Sequence, residues 1–210
     1  MTAAAQPEDI STRTRILEAA LDLFARHGFA GASMRQLAGA VGLTQSSLYN
    51  HFASKEAIYH ALIDAFGPAS SAERLRNPRF RALKDDPGAF CRLYAGELLV
   101  QWSDPSEQRF QELITAERNR LAGERAHYYE TLFTEESGLV ADYFRDFALA
   151  GLISTPNPRE TARLFMAGLT FVRLEHFIVP AQPSSIAQVR QALDRFLKTF
   201  LALIGAGHGR

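Results

Sequence analysis

A single cysteine, Cys91, stands in 210 residues, which excludes an intramolecular disulfide framework and a cysteine-built zinc site. No apolar run approaches the roughly 18 residues of a membrane span, and the opening MTAAAQPEDI lacks the basic-then-apolar profile of a secretory leader. A reducing cytoplasm is the expected compartment. Net charge is missing as well: 23 Lys and Arg balance 23 Asp and Glu, so no bulk basicity points to a polyanionic partner. No window alternates convincingly at period two, so no sheet is expected and the fold class is all-α. The glycines form neither a phosphate loop nor a dinucleotide fingerprint, no His-Glu-x-x-His occurs, and Cys91 has no recognisable partner histidine. No catalytic residue, cofactor or metal is therefore expected. Glu124 and His127 make one Glu-x-x-His unit of the kind found in di-iron bundles, but the second unit and two further carboxylates are missing, which leaves a helical-bundle enzyme as the remotest alternative.

One further absence is local. Between Asp22 and Glu56 lie 33 consecutive residues without a carboxylate, where the chain's density of 23 in 210 would place about four. Arg26, Arg35, His51 and Lys55 fall inside that gap, although residues 1–66 as a whole hold five Lys or Arg against six Asp or Glu. A surface that approaches phosphodiesters excludes carboxylates and places a few cations.

The gap holds SMRQLAGAVGLTQSSLYNHFASK, residues 33–55, which reads as two short helices around a tight turn. Ser33 with Gln36 fits a capping box, Met34, Leu37, Ala38 and Val41 recur at helical spacing, Gly42 suits the turn, and Thr44 caps a second helix over 44–50. That second helix has one apolar anchor, Leu48, among Thr44, Gln45, Ser46, Ser47, Tyr49 and Asn50. So short an apolar face cannot hold a helix alone, and the polar remainder suits base edges and phosphates; the pattern is a helix-turn-helix. The expected DNA-contacting set is Ser33, Arg35, Thr44, Gln45, Ser46, Ser47, Tyr49, Asn50, His51 and Lys55, with Lys55 placed on phosphate at a helix N-terminus.

Elsewhere, Ile16, Leu17, Ala20, Leu21 and Phe24 stripe a first helix over about 12–27, stopped by Gly28, and Ser54 caps a connector that runs to Phe66. Asp86-Pro87, Asp104-Pro105 and Asn157-Pro158 repeat one start signal, an acceptor cap followed by proline. Helices are expected at about 87–102, 105–119, 122–133, 136–150, 158–178 and 185–204. The helix over 158–178 is apolar on two sides and needs two partners. We expect a homodimer through Leu164, Phe171, Leu174, Ile178, Val189, Phe196 and Phe200, because a module with one recognition helix gains affinity by pairing. For a small-molecule site, Tyr94, Trp102, Phe110, His127, Tyr128, Phe165 and Leu169 are the expected lining, better suited to an apolar or aromatic ligand than to a sugar or nucleotide.

ILEAALDLFARHGF, SMRQLAGAVG and LYNHFASKEAIY, with Leu48, Tyr49, His51, Phe52 and Lys55-Glu56 in order and spacing, resemble the DNA-binding domain of the TetR family of bacterial one-component transcriptional regulators. The resemblance covers about a third of the chain strongly; FQELITAERNR and GLVADYFRDFALAGLI are more weakly similar to the ligand-binding domains of that family. It implies a helix-turn-helix domain over residues 1–53 that binds a pseudo-palindromic operator, and a ligand-binding and dimerising domain over 54–210. It also implies a repressor released by a small effector; a DNA-binding regulator without a small-molecule effector is the alternative. Two positions depart from the family pattern: Gly39 inside the second helix, at a cost of about 1 kcal/mol against Ala, and Ser46 where Gly is frequent.

Overall fold

The structure, a computed structural model, describes residues 7–66, 73–116 and 132–206. Every regular element among them is helical, and none is long and apolar enough to cross a membrane. The chain divides into two compact units, Met1–Gly67 with Pro105–Tyr128, and Pro68–Asp104 with Tyr129–Arg210.

The first unit contains α1 (Pro7–Gly31), α2 (Met34–Ala40), α3 (Gln45–His51), α4 (Lys55–Phe66) and α7 (Pro105–Ala116). Gly28 interrupts α1 at φ 68°, a left-handed conformation that favours glycine, so the regular helix stops where the sequence places its end. The capping box of α2 is present in both directions: Ser33 Oγ accepts from the Gln36 amide and the Ser33 amide donates to Gln36 Oε1 at 2.9 Å. Ile16, Leu21, Phe24, Leu37, Leu48 and Ile58 are buried together at this unit's centre. Phe110 of α7 joins them, stacked on Phe66 with ring centroids 5.4 Å apart, and Arg109 pairs with Asp22 at 3.0 Å. The packing unit thus reaches past residue 53, because α4 and α7 present apolar faces that only this core covers.

The second unit holds α5 (Pro78–Arg81), α6 (Pro87–Trp102), α8 (Ser137–Leu149), α9 (Pro158–Arg173) and α10 (Ile186–Leu203). Single π-helical turns, Leu132–Glu136 and Leu174–Ile178, precede α8 and follow α9. The acceptor-then-proline starts are as the sequence predicts: Asp86 accepts from Ala89 at 2.7 Å, and Asn157 from Arg159 and Glu160. Asn77-Pro78 starts α5 by the same device, at a position where the sequence reading placed no helix. The helix expected over 122–133 lies outside the described residues apart from its last two positions, which enter the π turn.

Aromatic rings fill this core. Phe90 touches Tyr143, Phe144 and Phe147, and Phe165 meets Tyr94, Phe144 and Phe200 at centroid distances of 5.2–5.6 Å. The Phe196 ring stacks on Phe165 and lies over Gly168, where an added Cβ would overlap it. Glycine at 168 is therefore set by close approach, not by a turn. Gly168→Ala is expected to push Phe196 off its stack and to cost about 1–3 kcal/mol. Unchanged thermal stability of that variant would contradict this packing.

Candidate nucleic-acid interface

Helix α3 is seven residues long, and Leu48 is its one buried residue, fully shielded against α1, α2 and α4. The rest of the helix is turned outward by that single anchor. Gln45, Ser46 and Asn50 are exposed and Tyr49 is 47% exposed, so amide, hydroxyl and phenol groups form one polar surface. Thr44 and Ser47 are partly committed: Thr44 Oγ1 accepts the Ser47 amide at 3.1 Å and lies 2.8 Å from Ser47 Oγ. Ser33 is committed likewise to its capping box. The side chains of Gln45, Ser46, Tyr49 and Asn50 make no hydrogen bond within the described residues, and these are the groups left to meet a base edge or a phosphate. Arg35, exposed at the start of α2, is also without a partner among the described residues.

Cations close the C-terminal ends of the helices that carry this face. The Lys55 ammonium donates to the carbonyls of Phe29 and Ala32 at 2.6 and 2.7 Å and lies 4.5 Å from the Phe29 ring centroid, so it ties the end of α1 to the start of α4. Arg15 donates to the Val41 carbonyl at 2.9 Å, at the end of α2. Arg13 donates to the His51 carbonyl at 3.2 Å, at the end of α3, and sits 4.2 Å over the Phe52 ring. Positive groups at helix C-termini satisfy orphan carbonyls and oppose the helix dipole. The sequence does not announce these carbonyl contacts of Lys55, Arg13 and Arg15, because contacts across 23 to 38 residues leave no local signature.

The residues expected to line a ligand site are scattered. Tyr94, Trp102, Phe165 and Leu169 lie in the close-packed core of the second unit, whereas Phe110 belongs to the core of the first. His127 and Tyr128 lie outside the described residues. Two cavities of the second unit, about 340 and 440 Å³ in volume, border other groups: Ser137, Asp142 and Arg145 in one, Asp86, Arg92 and Leu201 in the other. Of the expected dimer residues, Leu164, Phe171, Leu174 and Ile178 are exposed and Phe196 is half-buried, but Val189 and Phe200 are buried inside the protomer's own core. A two-sided apolar helix does not say which side faces inward. Among the described residues no cluster of His, Cys, Asp or Glu could hold a metal ion, and Cys91 is buried with its thiol pushed up to about 12 by desolvation.

One buried polar pair interrupts the aromatic core. Tyr94 donates to Glu136 Oε1 at 2.6 Å, with both side chains almost completely shielded. Burial raises the Glu136 carboxyl above its ordinary value of 4.5, opposed in part by the Tyr94 hydrogen bond and the Arg74 charge. Folding therefore favours the protonated acid: its contribution is fully present below pH 4.5 and is lost as pH rises through the higher folded value. Glu136→Gln keeps an acceptor for Tyr94 and removes that loss. The variant is expected to gain stability relative to the wild type on going from about pH 4 to about pH 8, and equal urea midpoint differences at both pH values would contradict the assignment.

The first unit is thus a helix-turn-helix domain, with a short second helix anchored by one leucine and presenting a neutral hydrogen-bonding surface. Residues 16–62 match the model described as "Bacterial regulatory proteins, tetR family". The HTH-type transcriptional regulator UidR of Escherichia coli strain K12 is 45% identical over 58 residues, 28% of this chain and 30% of UidR. The chain thus matches under a third of that relative's length. A TetR-family regulator from Mesorhizobium loti has a similar fold along 94% of this chain and 98% of its own, at a TM-score of 0.72 and 22% identity. AibR, solved in complex with isovaleryl coenzyme A and operator DNA, has a TM-score of 0.60 at 19% identity over 90% of this chain and 97% of its own.

Proposed function

We propose that this chain is a homodimeric, sequence-specific DNA-binding transcriptional regulator, a repressor that leaves a pseudo-palindromic operator when a small apolar or aromatic effector binds. The observation that carries it is the α2–turn–α3 unit, whose Gln45, Ser46, Tyr49 and Asn50 side chains face outward as hydrogen-bonding groups without a partner among the described residues. Residues 1–53 make the DNA contacts, and residues 54–210 hold the effector and the second copy; this division is one of role, drawn inside the wider packing unit. The exposed stripe of Leu164, Phe171, Leu174 and Ile178 supports pairing. AibR, crystallised with an acyl-coenzyme A and with DNA, is a precedent for both ligands on a similar fold.

For an effector to regulate, it must prefer one spacing of the two DNA-binding units, and a 10-fold preference corresponds to about 1.4 kcal/mol. The test is titration of apolar and aromatic small molecules against the protein with and without its operator. Reciprocal weakening is expected, the ligand loosening DNA and DNA loosening the ligand by one factor. If every ligand that binds leaves DNA affinity unchanged, the effector mechanism fails and regulation without a small molecule stands in its place.

A further inference from the structure

Of the five Lys and Arg in residues 1–66, Arg13, Arg15 and Arg26 lie on α1, Arg35 on α2 and Lys55 at the start of α4. Helix α3, QSSLYNH, carries no Lys, Arg, Asp or Glu. Its groups able to grip a base by two different atoms are the amides of Gln45 and Asn50, each with an acceptor oxygen beside a donor nitrogen. In a helix-turn-helix the N-terminal residues of the second helix meet the base edges. Gln45 is the first residue of α3, exposed, and its side chain has no partner among the described residues. Ser46 beside it offers a single hydroxyl, the Ser47 hydroxyl is turned onto the Thr44 cap at 2.8 Å, and Asn50 stands near the far end of the helix.

Resting on the reading as a DNA-binding regulator, we propose that Gln45 is the specificity-determining residue of this chain and that each operator half-site presents it with an A·T pair. In the major groove adenine sets a donor, N6, beside an acceptor, N7, whereas guanine sets two acceptors, O6 and N7, side by side. The Gln45 amide therefore donates to adenine N7 while its oxygen accepts from N6. Against guanine it can use only its nitrogen, and its oxygen is left without a donor. Guanine is matched at both atoms by Arg or Lys, and α3 has neither. The cations on α1, α2 and α4 attract the phosphates of every sequence alike, so they add affinity without choosing the base.

The test uses the full chain and duplexes of about 30 base pairs, long enough for two half-sites, enriched from a random pool by repeated selection. Selection is repeated with Gln45→Ala and Gln45→Arg, changes at an exposed position that leave the core of the unit untouched. Gln45→Ala should relax the preference at one position in each half-site, and that position should be A·T in the sites chosen by the wild type. Replacing it with G·C should weaken wild-type binding about 5- to 150-fold. Gln45→Arg should prefer G·C at the same position. An adenine analogue with carbon in place of N7 should weaken the wild type roughly 5-fold and leave Gln45→Ala indifferent. If Gln45→Ala relaxes no position, or relaxes one that is G·C in the wild-type sites, the proposal is overturned. Failure of the wild type to enrich any duplex would instead sink the DNA-binding reading beneath it.

Discussion

Leu48→Ala should cost the amino-terminal unit about 3 kcal/mol and abolish operator binding, a larger effect than any change on the outward face of the same helix. The side chain is wholly buried and is the one buried residue of seven-residue α3. A helix of that length has no stability of its own in water. The Thr44 cap holds its first turn and Arg13 its last carbonyls, but neither supplies apolar burial. Removing three carbons from Leu48 therefore leaves a cavity under the recognition helix and frees it to tilt or fray. Thermal unfolding and operator binding check this together. A variant that melts within about 1 kcal/mol of the wild type and still binds would show that α3 is held by something other than its leucine.

Phe171→Glu combined with Ile178→Glu should convert the proposed dimer into monomers and reduce operator affinity by at least about 100-fold, since the second half-site is then no longer an intramolecular partner. Both side chains are more than half exposed on the outer side of α9 and its π turn, while Phe165, Leu169 and Val172 on the inner side stay packed. The substitution thus places two carboxylates on a surface a second copy would cover, where burying an unpaired charge is prohibitive. Sedimentation gives the mass and circular dichroism the helix content. A variant that remains dimeric with unchanged operator affinity would move the interface elsewhere.

What could be read from the sequence was whatever depends on neighbours a few residues away. Ser33 with Gln36, Thr44 with Ser47, and the Asp86-Pro87 and Asn157-Pro158 starts follow from spacing alone, and each forms as its local chemistry dictates. The same logic applies to Asn77-Pro78, which carries the same signal and starts a helix of only four residues. Side chains whose partners are distant were not legible. Lys55 lies against the Phe29 and Ala32 carbonyls, 26 and 23 residues away, and no local pattern announces either contact. Val189 and Phe200 carry the same periodic signal as Leu164 and Phe171, yet the first two face inward and the second two outward. Phe110 follows α6 closely in sequence but is packed with α1 and α4, since α7 belongs to the other unit. Periodicity identifies an apolar face, and tertiary packing decides what covers it.

Hydroxyl-radical footprinting of a selected duplex bound to the full chain tests the central claim most directly. The account predicts two protected patches related by a local two-fold, with half-site centres one helical turn apart, about 10 base pairs or 34–36 Å, or a multiple of that, and two chains per duplex. A single protected patch with one chain bound, or protection that does not depend on sequence, would contradict it.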